Sequence, residues 1–174
     1  MDLPNIESWS RLADAQFSEH AGLVGIVAAQ GAVLEAEIEM LFGTLIGSRY
    51  NQGKIIYYAM ISLPPRLNMI QGLLSDNYDG NDELHKKWHD LRREIDRANG
   101  ERNRCVHAIW AENPATRNLQ RRTTHSNGSY ERRRLDMSLD DLKKIGRDLA
   151  AIAGQVNQFS VLLRGMPQSP SPNK

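Results

Sequence analysis

The sequence predicts an all-α protein: an up-and-down bundle of about four or five main helices with one small basic hairpin or loop insertion. Three observations lead there. Apolar residues recur in steps of three and four along several long stretches, which marks one buried face of a helix in each. Helix starts and stops punctuate those stretches at sensible places. Turn chemistry and a change of composition are concentrated in residues 117–136. Helices with one apolar stripe have to bury it against each other, and a bundle is the economical way to do so.

In chain order, residues 1–18 carry scattered apolar positions (Leu3, Ile6, Trp9, Leu12, Phe17) and predict a short helix. From about Ser18 to Ile46 a long helix follows, with Leu23, Val27, Val33 or Leu34, Ile38, Leu41 and Leu45 as its stripe and Glu35, Glu37 and Glu39 among them. Gly47–Gly53 reads as a connection and Ile55–Ile61 as a short helix. Pro64 and Pro65 suit the first turn of the next helix, where a backbone N–H is not needed. It ends in the polar loop Asp76–Asn81, and a central helix spans Asp82 to about Trp110, with Gly100 as a point of kinking or close backbone approach. Asn113-Pro114 stops it. An insertion over about 112–137 centres on Asn127-Gly128, a hairpin signal because both residues tolerate positive φ. Ser138-Leu139-Asp140-Asp141 then starts the last helix, whose stripe Leu142, Ile145, Leu149, Ile152, Val156, Phe159 and Leu163 has no gap. The expectation is one domain over residues 1–165 and a disordered tail over 166–174, rich in proline and serine.

Composition narrows the function. With 174 residues, 40% apolar and 25% charged, the chain has the balance of a soluble globular protein. The expectation is a cytoplasmic protein with no membrane partner, since neither a bilayer-length apolar run nor a leader stands out. A single cysteine, Cys105, excludes an internal disulfide and a multi-cysteine zinc site. His85 and His89 are four apart, but Lys86 stands where a zincin has glutamate, so no metal and no cofactor is expected. The net charge of +1 hides an asymmetry. Residues 1–80 hold 4 Lys/Arg and 9 Asp/Glu; residues 81–174 hold 18 and 12. The basic half would draw an anionic partner such as nucleic acid, although a mixed-charge surface also accounts for it.

The candidate site is the stretch Glu101-Arg102-Asn103-Arg104-Cys105-Val106-His107-Ala108-Ile109-Trp110. The apolar face Leu84, Trp88, Leu91, Ile95, Ala98 continues at Cys105 or Val106 and Ile109, and the residue due between Ala98 and Cys105 is Arg102. A guanidinium aimed at a core is costly unless a partner satisfies it. Asn103 and His107 lie four apart on an adjoining strip. At 100° per residue Arg102 and His107 are about 140° apart around the axis, so one helix alone does not bring them together.

Arg-Asn-x-x-x-His near the end of a bundle helix resembles the Arg-x4–6-His motif of the HEPN superfamily. The surroundings are similar too: a long first helix bearing glutamates, a proline-started middle helix and a trailing helix introduced by Ser-Leu-Asp-Asp, over roughly residues 20–163. The resemblance implies a metal-independent endoribonuclease, often a toxin or defence effector, working as a homodimer on RNA and sometimes held by an antitoxin protein. Carried over by position, Arg102 and His107 are the catalytic pair and Asn103 their polar neighbour. An imidazole can take a proton from a ribose 2′-OH or give one to the leaving 5′-oxygen, and a guanidinium can hold phosphate oxygens. Such a reaction leaves a 2′,3′-cyclic phosphate. A second copy of the helix across a two-fold axis would complete the pair.

Arg104, Arg121, Arg122, Arg132, Arg133 and Arg134 are the candidate RNA-phosphate contacts, with Arg117 nearby and Glu131 as the lone acid between Arg117 and Arg134. Tyr130 is the single aromatic there, so base-specific readout is not expected of it. The alternative is a HEPN-like dimeric interaction or nucleic-acid-binding module that does not cut. In that reading Arg102 is an ordinary helix arginine paired with a carboxylate such as Glu35 or Glu94, and His107 a satisfied core or interface histidine. Cys105 reads as buried packing.

Overall fold

The computed structural model describes residues 15–47, 50–112, 119–122 and 134–167 of the chain. Its fold is an all-α helical bundle with a small sheet. Among the described residues the order is α1 (Ala15–Ile46), α2 (Tyr50–Ala59), α3 (Leu63–Asn77), α4 (Asp82–Val106), β1 (Ile109–Glu112), β2 (Leu119–Arg122), β3 (Arg134–Asp136) and α5 (Leu139–Arg164). Most of the expected first helix, and residues 168–174 of the expected tail, lie outside the described residues. The chain divides into two compact units: unit 1 is residues 1–30 and 100–148, unit 2 residues 31–99 and 149–174.

Unit 2 holds most of the apolar core. The stripes expected on α1 (Leu34, Ile38, Leu41, Leu45), α4 (Leu84, Trp88, Leu91, Ile95, Ala98) and α5 (Leu149, Ile152, Val156, Phe159, Leu163) are all buried. Trp88 is fully enclosed, its ring 5.8 Å from that of Phe159. α3 adds Leu63, Leu67, Ile70 and Leu74. Ser62 stands at its N-cap in extended backbone without a side-chain cap, and the prolines of the first turn remove donors that would otherwise go unpaired. The turn after α3 is tied down by side chains. Asn77 Nδ2 donates to the Leu45 carbonyl at 2.8 Å, and the Tyr78 hydroxyl to that of Leu163 at 3.1 Å. Gly80 takes φ +77°, a conformation that suits glycine, and the Asn81 side chain accepts from Leu84 N at 3.1 Å to cap α4.

Two polar clusters join elements within unit 2. Asn157 Nδ2 donates to Glu37 at 2.9 Å. Glu39 receives the Tyr58 hydroxyl and lies 3.1 Å from Lys54 Nζ. Beside them the Arg66 guanidinium stacks 4.6 Å from the buried Tyr57 ring, and burial pushes the Tyr57 phenol up to about 12. These contacts matter for reading α1. Its segment Ser18–Ile46 is long and apolar enough to cross a membrane by length and composition, contrary to the expectation that no run reaches that length. Glu37 and Glu39 are nevertheless partnered inside unit 2, as in a bundle's core helix.

In unit 1, α5 begins with a reciprocal cap. Asp141 N donates to Ser138 Oγ at 3.1 Å, and Ser138 N donates back to Asp141 Oδ2 at 2.9 Å. Those backbone and hydroxyl donors hold the Asp141 carboxyl below its ordinary value, so the cap contributes most above the usual carboxylate range and weakens as pH falls through it. Ser138→Ala is expected to cost about 1 kcal/mol, read as a lower midpoint of thermal unfolding at neutral pH.

Among the described residues the insertion forms a three-stranded antiparallel sheet, β1-β2-β3, where a small hairpin or loop was expected. β1 pairs Ile109 with Arg122 and Trp110 with Arg121; β2 pairs Gln120 with Asp136 and Arg122 with Arg134. The β2–β3 register is symmetric about position 128, where Asn127-Gly128 stands; that dipeptide itself is outside the described residues. α4 also ends earlier than expected, at Val106 and not near Trp110. The apolar periodicity ran on into Ile109, but Ile109 and Trp110 are a β-branched and an aromatic residue, and a ladder with β2 takes up their backbone groups. At Gly100 the helix is continuous. The nearest atom to an added Cβ would be Arg104 Nη2 at 4.0 Å, so among the described residues no other backbone approaches it.

Candidate functional site

The last turn of α4 carries the candidate residues, all within unit 1. Cys105 is fully buried, so this turn is anchored on its apolar side. Arg102, one turn earlier on that side, is half-buried, and its Nε is closed off from solvent without a hydrogen-bond partner. One arm of its fork is engaged: Nη1 donates to Asn103 Oδ1 at 2.9 Å. Among the described residues no carboxylate pairs with Arg102; Glu94, one of the two partners considered for it, holds Arg97 at 2.8 Å. Arg102 therefore presents a fixed cation with unused donor capacity, an arrangement that suits a planar anion such as phosphate.

His107 stands on the turn that follows α4. Its backbone N donates to the Asn103 carbonyl at 3.0 Å, which keeps it on the helical track, and its side chain is exposed. Among the described residues the imidazole makes no hydrogen bond or ion pair. The structure thus joins the side chains of Arg102 and Asn103, while the His107 imidazole bonds to neither. Arg104 is exposed and paired with Glu101. Arg121, Arg122 and Arg134 occupy sheet positions, with Arg122 and Arg134 directly opposite each other. Arg132, Arg133, Arg117 and Tyr130 lie outside the described residues.

Two features of this region were not singled out in the sequence. The Trp110 indole Nε1 donates to the Cys105 carbonyl at 3.1 Å, so a residue of β1 caps the C-terminal turn of α4. Against that indole lies His20 of α1, only 1% exposed, with ring centroids 4.3 Å apart and planes at 71°. A signal for His20 existed. It precedes Val27, Leu34 and Leu41 at successive steps of seven, the same logic that exposed Arg102 on the stripe of α4.

Elsewhere, His85 Nε2 is 3.2 Å from the Tyr78 carbonyl and His89 lies 3.8 Å from Asp90. Among the described residues no three His, Cys, Asp or Glu side chains gather as metal ligands. An open groove of unit 2, about 460 Å³, is lined by Lys87, Asp90, Arg93, Glu94, Gln155 and Gln158 over an apolar floor that includes Phe159. Its charges are mutually compensated, with Arg93 on Asp90 and Lys87 on Glu83. No protein-family model, no curated protein and no solved structure matches this chain.

Proposed function

We propose that this chain is a HEPN-like, metal-independent endoribonuclease that acts as a cytoplasmic homodimer, in the manner of a toxin or defence effector with an antitoxin protein as its partner. The observation that carries the reading is Arg102. A guanidinium with a buried, unpartnered Nε, tethered by Asn103 and five residues before an exposed histidine, is poorly explained by stability alone, since an unsatisfied buried donor costs roughly 1–3 kcal/mol.

In the mechanism that follows, His107 takes the proton of a ribose 2′-OH as the 2′-oxygen bonds to the adjacent phosphorus. The P–O5′ bond breaks, and a protonated imidazole from the second protomer's His107 delivers a proton to the departing 5′-oxygen. The products are a 2′,3′-cyclic phosphate and a 5′-hydroxyl. Arg102 stabilises charge that grows on the non-bridging oxygens, and Asn103 orients it. The second copy supplies what the angle between Arg102 and His107 denies to one helix. The arginine positions of β2 and β3 hold RNA by its backbone, which makes binding salt-sensitive and tolerant of sequence.

Lysine keeps the charge of Arg102 but not its planar fork, so Arg102→Lys is expected to lower the cleavage rate about 10²-fold. Single-turnover rates on a labelled RNA measure this, and an unchanged rate would remove Arg102 from the mechanism. One observation favours the second reading, a module that binds without cutting: β2 and β3 place arginines at positions 121, 122 and 134, with Arg122 and Arg134 paired and no histidine in either strand. That reading expects salt-dependent RNA binding by a folded protein that leaves the RNA intact.

A further inference from the structure

We propose that His20 and Trp110 form an acid-released latch on the end of α4, in which protonation of His20 frees the indole that caps the helix and loosens the turn bearing His107. The chain of contacts runs through four residues of unit 1. The His20 ring packs edge-to-face on Trp110, Trp110 Nε1 holds the Cys105 carbonyl, and two residues beyond Cys105 the backbone reaches His107. The two ends of this chain are shielded, His20 at 1% exposed and Cys105 fully buried, with Trp110 half-buried between them.

What makes the link sensitive to acid is its lack of partners. Both nitrogens of His20 are closed off from solvent and neither makes a hydrogen bond. A neutral imidazole tolerates this at modest cost. An imidazolium does not, because it must place a charge and two donors where no acceptor waits, and the indole can meet at most one of them. The ionisable side chains described on the elements of this unit offer no counter-charge. Glu19 of α1 is paired with Lys143 of α5 at 3.9 Å, and Asp140 shares that lysine. Asp141 is held in the cap of α5, Lys144 is paired with Asp148, and Arg147 is a cation. On α4, Glu101 is taken by Arg104, Arg102 is itself a cation, and Cys105 and His107 make no bond to either ring nitrogen.

Burial lowers the His20 pKa from its ordinary 6.5. Above that value His20 is neutral in the latched and released forms alike, and the latch is closed. As pH falls below it, the released form binds the proton more readily, so the latched form loses ground progressively toward the lower folded value. The latch stands on this geometry alone; its effect on RNA cleavage rests on the function proposed above.

The test is an NMR titration of the whole protein between about pH 5 and 8, following the imidazole C–H signals of the histidines and the Nε1–H signal of Trp110. The expected result is that His20 titrates below its ordinary value, and that the Trp110 indole signal moves in step with His20. In His20→Phe, which keeps a ring against the indole but cannot titrate, the Trp110 signal should stay constant over that range. A His20 that titrates at or above its ordinary value, or an indole signal that moves independently of it, overturns the latch in the wild-type protein alone, whether or not the variant folds. A Trp110 step that persists in folded His20→Phe overturns it as well. Because the readout is spectroscopic, absence of cleavage by the wild type would defeat the ribonuclease reading and leave this result standing.

Discussion

Replacing His107 by alanine is expected to lower the rate of RNA cleavage by about 10²–10⁴-fold, the usual share of a general acid–base group. The effect should fall on the chemical step, with RNA affinity little changed, because phosphate attraction is assigned to arginines. His107 is exposed and its side chain holds nothing among the described residues, so unfolding should shift by no more than about 0.5 kcal/mol. Single-turnover rates, binding and thermal melts on the same preparation separate the three quantities. If each protomer supplies a histidine to a shared site, mixed dimers of wild type and His107→Ala will lose activity out of proportion to the mutant fraction. A variant that melts normally, binds RNA and cleaves at the wild-type rate would take His107 out of the chemistry.

The largest effect on folding is expected at Trp88. Its side chain is fully enclosed in unit 2 against Phe159. Trp88→Ala leaves a cavity the surrounding helices cannot close, and the cost is about 3–5 kcal/mol, a large fraction of a domain's stability. Trp88→Phe is the informative companion. Trp88 Nε1 is buried without a partner, so phenylalanine removes an unsatisfied donor along with some volume, and the two effects oppose each other. Chemical denaturation should therefore place the phenylalanine variant much nearer the wild type than the alanine variant. Near-equal losses would mean that the indole N–H is satisfied in solution.

How far the fold could be read in advance depended on which physical signal governed each segment. The stripes of α1, α4 and α5 were legible because burial of an apolar face imposes spacings of three and four, and no competing interaction disturbs Leu84 to Ala98 or Leu142 to Leu163. The end of α4 was not legible by the same rule. Ile109 fits the helical spacing of the stripe, yet its backbone goes to a ladder with Arg122, and a ladder is a contact with residues distant in sequence. The third strand was missed for that reason too: Asn127-Gly128 signals a turn and says nothing of what lies beside the hairpin.

The candidate site divides along a similar line. Arg102 was visible as a polar residue on an apolar stripe, and its half-buried position with an unpartnered Nε fits that signal. The carboxylate partner considered for it is absent among the described residues; its neighbour Asn103 takes that place, a bond between adjacent residues that no periodicity indicates. His20 broke the stripe of α1 in the same fashion. Its meaning depends on Trp110, ninety residues away along the chain, and only the fold brings them together. Spacing finds the residue that is out of place. It does not find the partner.

The central claim is metal-independent cleavage through the 2′-hydroxyl, and the chemistry of the product ends tests it most directly. Purified protein incubated with a single-stranded RNA in excess chelator should generate fragments ending in a 2′,3′-cyclic phosphate and beginning with a 5′-hydroxyl. A substrate carrying 2′-deoxy sugar at the cut position should remain whole. Folded wild-type protein that leaves the RNA uncut, or that cuts the deoxy substrate equally well, would contradict the account.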